Sequence, residues 1–504
     1  MTVVDVAILG GGLGANLLAR QLRREVPNAS VLVVEKSLER GWKVGESTVE
    51  IAAHYLSTKQ GLSTYVYDQH LPKNGLRFFF DNEAKDAELT QMSEVGTDRP
   101  PPTPSFQLDR ARFEEDLLRM NAADGVDVRI GKPATKLDLE ARTFEVDGTS
   151  VRARWIVDGT GREGTIARKL DLRTKSDHEM AAVWGRFTGV MDFDTVPDDA
   201  WRRRARYVAR NLSTNHFCYP GYWIWFIPLG RGVTSIGVVG EKSVFRRGIR
   251  TQAGLLSFLR EHRAVASMIE RAEMLDLEGF TQLAYGTKQF FDGASRWSLL
   301  GDAAAFPDPF YSPGSDFIAL ECDYTTDLIK RDLAGESIDA RAKVYDAFMQ
   351  FRFAATLLLY RNLYPCFGSY DLMRVKLNFD LGCYYNLWLD PISRNEHLDE
   401  KFLRRELGRG KETMKALGYF GGLFRRVEAD LRSRGAYYER NLGEYSLGVE
   451  CLRSWMDEVG TVRKRRAVNR RTEEVFNYGR KESMKLLGLA DAEDAWRLDQ
   501  FVDA

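Results

Sequence analysis

The chain has 504 residues, 44% hydrophobic and 29% charged, with 72 Lys and Arg balanced by 72 Asp and Glu. This is the composition of a globular protein of two or three domains rather than of a disordered one. A neutral balance removes the electrostatic case for nucleic acid or an anionic membrane as partner.

The first apolar run, Val3 to Leu9, stops at Gly10-Gly11-Gly12. Leu17, Leu18 and Leu22 then recur at helical spacing over Ala15 to Arg24, and a second apolar run, Val31 to Val34, ends in Glu35. This order predicts strand, turn, helix and strand, the start of a parallel sheet. No basic segment or cleavage site precedes the first strand, so we expect no signal peptide and a cytoplasmic location. Residues 91–105 are polar and contain Pro100, Pro101, Pro102 and Pro104, which predicts a loop or lid-like segment. Residues 106–120 predict a helix with Phe106, Phe113, Leu117 and Leu118 on its apolar face. Residues 180–240 alternate and are rich in aromatic and β-branched side chains, predicting antiparallel strands. Ser298-Leu299-Leu300 predicts a return to the core, and the pattern beyond residue 317 is helical, with amphipathic segments at 399–434 and 443–487. The run Arg463 to Arg466 reads as a solvated helix face. The longest apolar stretches, such as Phe353 to Tyr360, are too short to span a bilayer. Cys218, Cys322, Cys366, Cys383 and Cys451 form no CxxC pair, so no metal site is expected and buried free thiols are.

Gly10-x-Gly12-x-x-Ala15 has the chemistry of a dinucleotide turn. Gly10 permits the tight turn, Gly12 lets a pyrophosphate approach the backbone, and Ala15 keeps the helix close to the sheet. Gly14 belongs to the same turn, and Glu35 stands where an acid accepts hydrogen bonds from the adenosine ribose. A tight structural turn is the alternative for the glycines alone. Two segments favour FAD over NAD. Trp155-Ile156-Val157-Asp158-Gly159-Thr160-Gly161 resembles the strand-turn flanking the flavin in the aromatic-hydroxylase class of flavoproteins. Trp297 to Ala304 resembles their second FAD fingerprint, which implies that Asp302 accepts hydrogen bonds from the ribityl chain. Arg110 matches a cofactor-facing Arg of that class, with a surface helix Arg as the alternative. The expected architecture is α/β: a Rossmann-type FAD-binding domain over 1–80, 105–170 and 290–335, an antiparallel β-rich substrate domain over 81–104 and 171–289, and a helical C-terminal region over 336–504.

Within that class the chain resembles the flavin-dependent halogenases, from its N-terminus to about residue 330. Trp42-Lys43-Val44-Gly45-Glu46-Ser47-Thr48 is similar to the family's flavin loop, implying cofactor contacts from Lys43, Gly45, Glu46 and Ser47. Trp223-Ile224-Trp225-Phe226-Ile227-Pro228 matches the W-x-W-x-I-P signature in full. Two indoles two apart on a strand share one face, and the resemblance implies that they keep organic substrate from the flavin. Lys73 precedes an apolar strand with Arg77 four positions on, as the family's essential Lys does; a strand-edge Lys is the alternative. Asp308-Pro309-Phe310-Tyr311-Ser312-Pro313-Gly314-Ser315-Asp316 stands where the family has a Ser-Thr-Gly or Ser-Ser-Gly turn beside flavin and halide. Pro309, Ser312, Gly314 and Ser315 are the expected contacts there. Pro313 departs from the pattern because it has no N–H to donate. Tyr311 replaces the Glu of tryptophan-specific members, which argues against free tryptophan as substrate.

The resemblance implies a halogenase that uses FADH2, O2 and a halide ion. Hypohalous acid, made by way of a flavin hydroperoxide, would reach Lys73 and then an electron-rich phenol, pyrrole or indole, free or carrier-tethered. Lys73, Ser312, Trp223 and Trp225 are the expected catalytic residues. Aromatic side chains between Tyr360 and Trp388, including Tyr364, Phe367, Tyr370, Phe379, Tyr384 and Tyr385, line the pocket or form helical core. No second glycine fingerprint follows, so reduced flavin is expected from a separate reductase. A flavin monooxygenase or oxidase on the same scaffold stays open, with Pro313 as its support.

Overall fold

The computed structural model describes all residues except 102, 246–247, 449–455, 457, 462–463 and 490–504. Its mixed α/β fold is built around two large sheets. The first has strands Thr2–Leu9 and Val31–Glu35 at its centre, with Thr149–Asp158 and Trp297–Leu299 on one side and Asp127–Ile130 on the other. The central pairings are parallel: Ile8 opposes Val157 and also Val33, and Val157 opposes Ser298. Strands buried on both faces read as near-continuous apolar runs, which is why Val6 to Leu9 and Val31 to Val34 are legible in the sequence. The helix Leu13–Glu25 follows the first strand directly, placing its N-terminus at the C-terminal edge of the sheet.

The second sheet is largely antiparallel. Met180–Thr188, Val233–Glu241, Tyr222–Gly230 and Thr214–Tyr219 lie side by side, as the alternation over 180–240 predicts. Leu76–Phe80 joins this sheet beside Thr214–Tyr219, so the stretch ending at residue 80 does not stay wholly with the first sheet. Residues 91–105 are not a simple loop. Ser93–Gly96 is a buried strand against Leu76–Phe80, and Tyr445–Leu447 completes the edge. Ser105–Gln107 pairs with Leu71–Lys73, so Phe106 belongs to a strand and the helix begins later, at Arg110–Ala123. Asp109 stops the strand by accepting the Arg112 N–H at 3.2 Å as an N-cap.

The C-terminal part is helical, including Gly314–Leu333, Asp339–Leu358, Tyr370–Cys383, Gly410–Ser433 and Arg465–Leu486. The amphipathic segment over 443–487 is interrupted by the strand at 445–447, and Cys451 and Arg463 lie outside the described residues. Cys218, Cys322, Cys366 and Cys383 are buried free thiols. Among the described residues no helix is long and apolar enough to cross a membrane, and no His, Cys, Asp and Glu cluster suits a metal ion.

Candidate active site

The glycine turn is shaped by close approach on one side and open space on the other. Gly10 has φ +102°, and a Cβ there would lie 2.3 Å from the Gly159 carbonyl oxygen. Its N–H donates to Val34 O at 2.7 Å, tying the turn to the second strand. Gly12 caps the helix Leu13–Glu25, and a Cβ there would meet nothing within 4 Å. Unobstructed space in front of a helix N-terminus is what a pyrophosphate requires. Ala15 packs on Gly159, where an added Cβ would lie 3.0 Å from its own, and Gly14 faces Leu300 and Ile318. Glu35 ends its strand and accepts the Gly11 N–H at 2.6 Å, with Arg40 3.4 Å away.

Next to this turn lies a cavity with about 960 Å³ of empty space. Gly45, Glu46, Ser47, Arg110, Asp302, Pro309, Ser312, Gly314, Ser315, Trp223 and Trp225 all line it. Arg110 donates to Val44 O at 2.9 Å, holding the 42–48 loop against its helix. Lys43 does not line the cavity; it pairs with Glu114 at 2.6 Å on the outer side. The Glu46 carboxylate is held by Arg186, 3.0 Å from Nε to Oε1, and Arg186 reaches Asp276 at 3.0 Å with its other arm. Burial pushes the Glu46 carboxyl upward, and Arg186 opposes that shift. The Asp302 carboxylate accepts no hydrogen bond from any described residue, and burial raises its pKa as well. An unpaired acceptor calls for donors from a ligand. With the space before Gly12, it fits the hydroxyl-rich chain and pyrophosphate of FAD.

Trp223 and Trp225 share one face of their strand, with ring centroids 5.7 Å apart. Trp225 Nε1 donates to Ser235 Oγ at 3.1 Å. Trp223 Nε1 donates to Tyr364 Oη at 3.1 Å, Tyr364 donates to Asp308 at 2.8 Å, and His178 Nε2 lies 2.7 Å from the same Asp308 oxygen. This buried chain fixes one indole plane to the start of the 308–316 loop. Sequence reasoning missed Arg162, Trp184 and His216, which also line the cavity. Arg162 directly follows the Asp158-Gly159-Thr160-Gly161 turn, so its position was the available signal. His216 stacks on Phe78 at 4.7 Å, and burial depresses its pKa to about 3, so the imidazole is neutral.

A second cavity, with about 1540 Å³ of empty space, adjoins the first. Lys73, Glu50, Tyr311, Asp316, Arg352, Tyr360, Tyr384, Tyr385 and Trp388 line it, and Pro313 lines both. Lys73 is 3% exposed and donates to Ser47 Oγ and to Thr48 O, each at 2.8 Å. Ser47 faces the first cavity and Lys73 the second, so this contact crosses the partition. No described carboxylate lies within ion-pair reach of Lys73. Burial therefore lowers its pKa to about 8, although Glu50 and Asp316 pull the other way. Asp316 accepts the Ala52 N–H at 2.9 Å and the Tyr384 O–H at 3.1 Å, yet burial raises it to about 7. Glu50 accepts the Tyr385 O–H at 2.6 Å.

Between the cavities, Ser312 has φ +56° and Pro313 caps the helix Gly314–Leu333. The Gly314 and Ser315 N–H groups begin that helix without a partner, as first-turn donors do, and Ser315 Oγ is buried and unpaired. Four of the aromatic residues between 360 and 388 reach the larger cavity: Tyr360, Tyr384, Tyr385 and Trp388. The others serve packing. Tyr364 holds Trp223, Phe367 stacks on Phe310 at 4.3 Å, Tyr370 packs on Phe80, and Phe379 packs on Phe420. Arg77 is no site cation; it is buried in an ion pair with Glu94.

No family model matches the chain. It is 28% identical to a flavin-dependent halogenase, chlA, of Dictyostelium discoideum, over 78% of this chain and 71% of that one. It is 27% identical to the flavin-dependent halogenase armH3 of Armillaria mellea, over 62% of this chain and 64% of the relative. Among solved structures, the halogenase PltM in complex with phloroglucinol and FAD superposes with a TM-score of 0.67 at 17% identity, over 95% of this chain and 96% of that one. The fold, the W-x-W-x-I-P strand lining a cavity beside a dinucleotide turn, and these relatives agree: the chain is similar in sequence and fold to the flavin-dependent halogenases, FAD-dependent oxidoreductases that use a halide.

Proposed function

We propose that this enzyme halogenates an electron-rich phenol in the larger cavity with a halogen electrophile handed over by Lys73. The observation that carries the reading is the 2.8 Å contact between Lys73 Nζ and Ser47 Oγ, which joins the two cavities at a buried amine. Reduced FAD with O2 supplies the two oxidising equivalents that turn a halide into hypohalous acid. Gly314 N–H, Ser315 N–H and Ser315 Oγ, three donors without a protein partner, hold the halide at the helix N-terminus. Trp223 and Trp225 wall the flavin-side cavity and keep the aromatic substrate away from the flavin.

At Lys73, the neutral amine attacks hypohalous acid, forming an N–halogen bond and releasing water. As the aromatic carbon takes the halogen, a carboxylic acid protonates the departing nitrogen and regenerates the amine, and the carboxylate so formed takes up the ring proton. Asp316, poised at about 7, and Glu50 are the acceptors at hand. The single glycine fingerprint supports delivery of reduced flavin by a separate reductase. For PltM, the aromatic bound is phloroglucinol; a polyhydroxylated ring is the kind of substrate proposed here.

Pro313 favours a second reading, oxygen transfer to the ring without halide, because it withdraws one N–H from the halide turn. The test is product mass after incubation with a flavin reductase, NADH, O2, a resorcinol and either chloride or bromide. The halogenase reading expects a ring hydrogen replaced by halogen. A product that gains oxygen alone at every halide concentration decides for the second reading.

A further inference from the structure

Four arginines are buried among the described residues: Arg77, Arg186, Arg210 and Arg352. Three of them have carboxylates. Arg77 and Arg210 share Glu94, and Arg186 holds Glu46 and Asp276. Arg352, on the helix Asp339–Leu358, has none. It makes no hydrogen bond or ion pair with a described residue, and its Nε and Nη1 are buried without partners. It is 3% exposed, lines the larger cavity, and lies with its guanidinium carbon 3.8 Å over the Trp388 ring. Burial lowers its pKa only to about 10, so it stays cationic at neutral pH.

An unpaired buried guanidinium is costly, and five N–H donors in a fixed fork are made to meet paired oxygens. The neighbouring acids do not meet this need. Asp316 is occupied by Ala52 and Tyr384 and is only partly ionised. Glu50 is taken by Tyr385, and Asp380 by Lys376 and Tyr311. Trp388 fixes the guanidinium plane, which leaves its edge to whatever enters the cavity.

We propose that Arg352 binds an oxyanion carried on the substrate's ring, so that this enzyme takes acidic phenols in preference to neutral ones. The inference rests on the reading that the larger cavity holds the substrate, but not on which atom is transferred there. Two oxyanions share the chemistry, a ring carboxylate and the acidified phenolate of an acylphenol.

The test is calorimetric binding to the oxidised FAD-loaded enzyme, with no halide or reductant, so that its outcome is independent of halogenation. The ligands are 2,4-dihydroxybenzoate, 2,4-dihydroxyacetophenone and the neutral parent resorcinol. The wild type should bind at least one of the first two about tenfold or more tightly than resorcinol, as a charge-assisted hydrogen bond implies. Preference for the benzoate alone identifies a carboxylate, and preference for the acetophenone identifies a phenolate. Arg352→Gln should abolish the preference while leaving resorcinol binding within about twofold, and its melting temperature should not fall, because an unpaired buried cation is removed. Arg352→Lys should keep part of the preference. Equal binding of all three ligands by the wild type overturns the proposal without any variant, as does a preference that survives Arg352→Gln.

Discussion

Lys73 Nζ and Ser47 Oγ lie 2.8 Å apart across the partition between the two cavities, and Ser47 Oγ is in turn 2.8 Å from Thr214 Oγ1. The amine is held by a hydroxyl and a carbonyl and forms no ion pair, so its burial is only partly offset by the more distant Glu50 and Asp316. This accounts for a depressed pKa on a residue type that normally titrates near 10.4. With its pKa at about 8, only about a tenth of Lys73 is neutral at pH 7. The neutral fraction grows as pH rises through 8. The yield of halogenated product per flavin oxidised should therefore rise between pH 7 and pH 9 under single-turnover conditions. A ratio that stays flat across this range removes the neutral amine from the step.

Gly12→Val should abolish FAD binding without unfolding the protein. A Cβ at position 12 meets no protein atom within 4 Å, so the new side chain fills only the space reserved for the pyrophosphate. Thermal melts of the apoprotein should match the wild type while flavin fluorescence titration shows no saturation. Gly10→Ala should behave differently, because φ +102° and the Gly159 carbonyl both oppose a side chain there. That variant should lose stability as well as flavin.

Pro313→Thr should lower the halide concentration needed for half-maximal rate. It restores an N–H to the turn ahead of Gly314 and Ser315, whose own donors are unpaired. With Pro in place, the site should prefer bromide, which is less costly to dehydrate and easier to oxidise. Product rate against chloride and bromide for both proteins gives the answer. Equal saturation at low chloride in both proteins excludes position 313 from halide contact.

Arg186→Met should destabilise the fold by about 3–5 kcal/mol, the range for breaking a buried ion pair from one side. It strands the buried Glu46, which lines the smaller cavity, and leaves the partly exposed Asp276 without this partner. Glu46 already has its pKa raised by burial, and losing Arg186 raises it further. A carboxyl whose folded pKa is raised loses stability as pH climbs through that value. The deficit should therefore be smaller at pH 5 than at pH 8, which thermal melts at the two pH values will show.

The parallel sheet and dinucleotide turn are legible in the sequence because doubly buried strands carry continuous apolar runs and because Gly10 and Gly12 have backbone reasons to be glycine. The Trp223–Trp225 face is legible because strand periodicity is two. Ser93–Gly96 is hidden by its polarity: Ser93 and Glu94 are buried polar residues whose partners, Asn441, Arg77 and Arg210, come from distant parts of the chain. Lys43 has the right loop but the wrong side, since Glu114 draws it outward. The split of the 360–388 aromatics into cavity wall and core depends on how that helical segment is turned against its neighbours, which spacing alone does not fix. Arg352 gives no local signal at all. Its meaning comes from partners it lacks, and only three-dimensional neighbours reveal that.

Halogen delivery by Lys73 is tested by Lys73→Met in a single-turnover reaction with reduced FAD, O2, bromide and 2,4-dihydroxybenzoate, with and without a soluble halogen scavenger. Two quantities are read together: flavin reoxidation by absorbance and the fate of bromine by mass spectrometry. Reoxidation should run at the wild-type rate, bromine should be recovered on the scavenger, and brominated dihydroxybenzoate should fall roughly a hundredfold or more. Wild-type yield of brominated product from the Lys73→Met enzyme would remove Lys73 from halogen delivery.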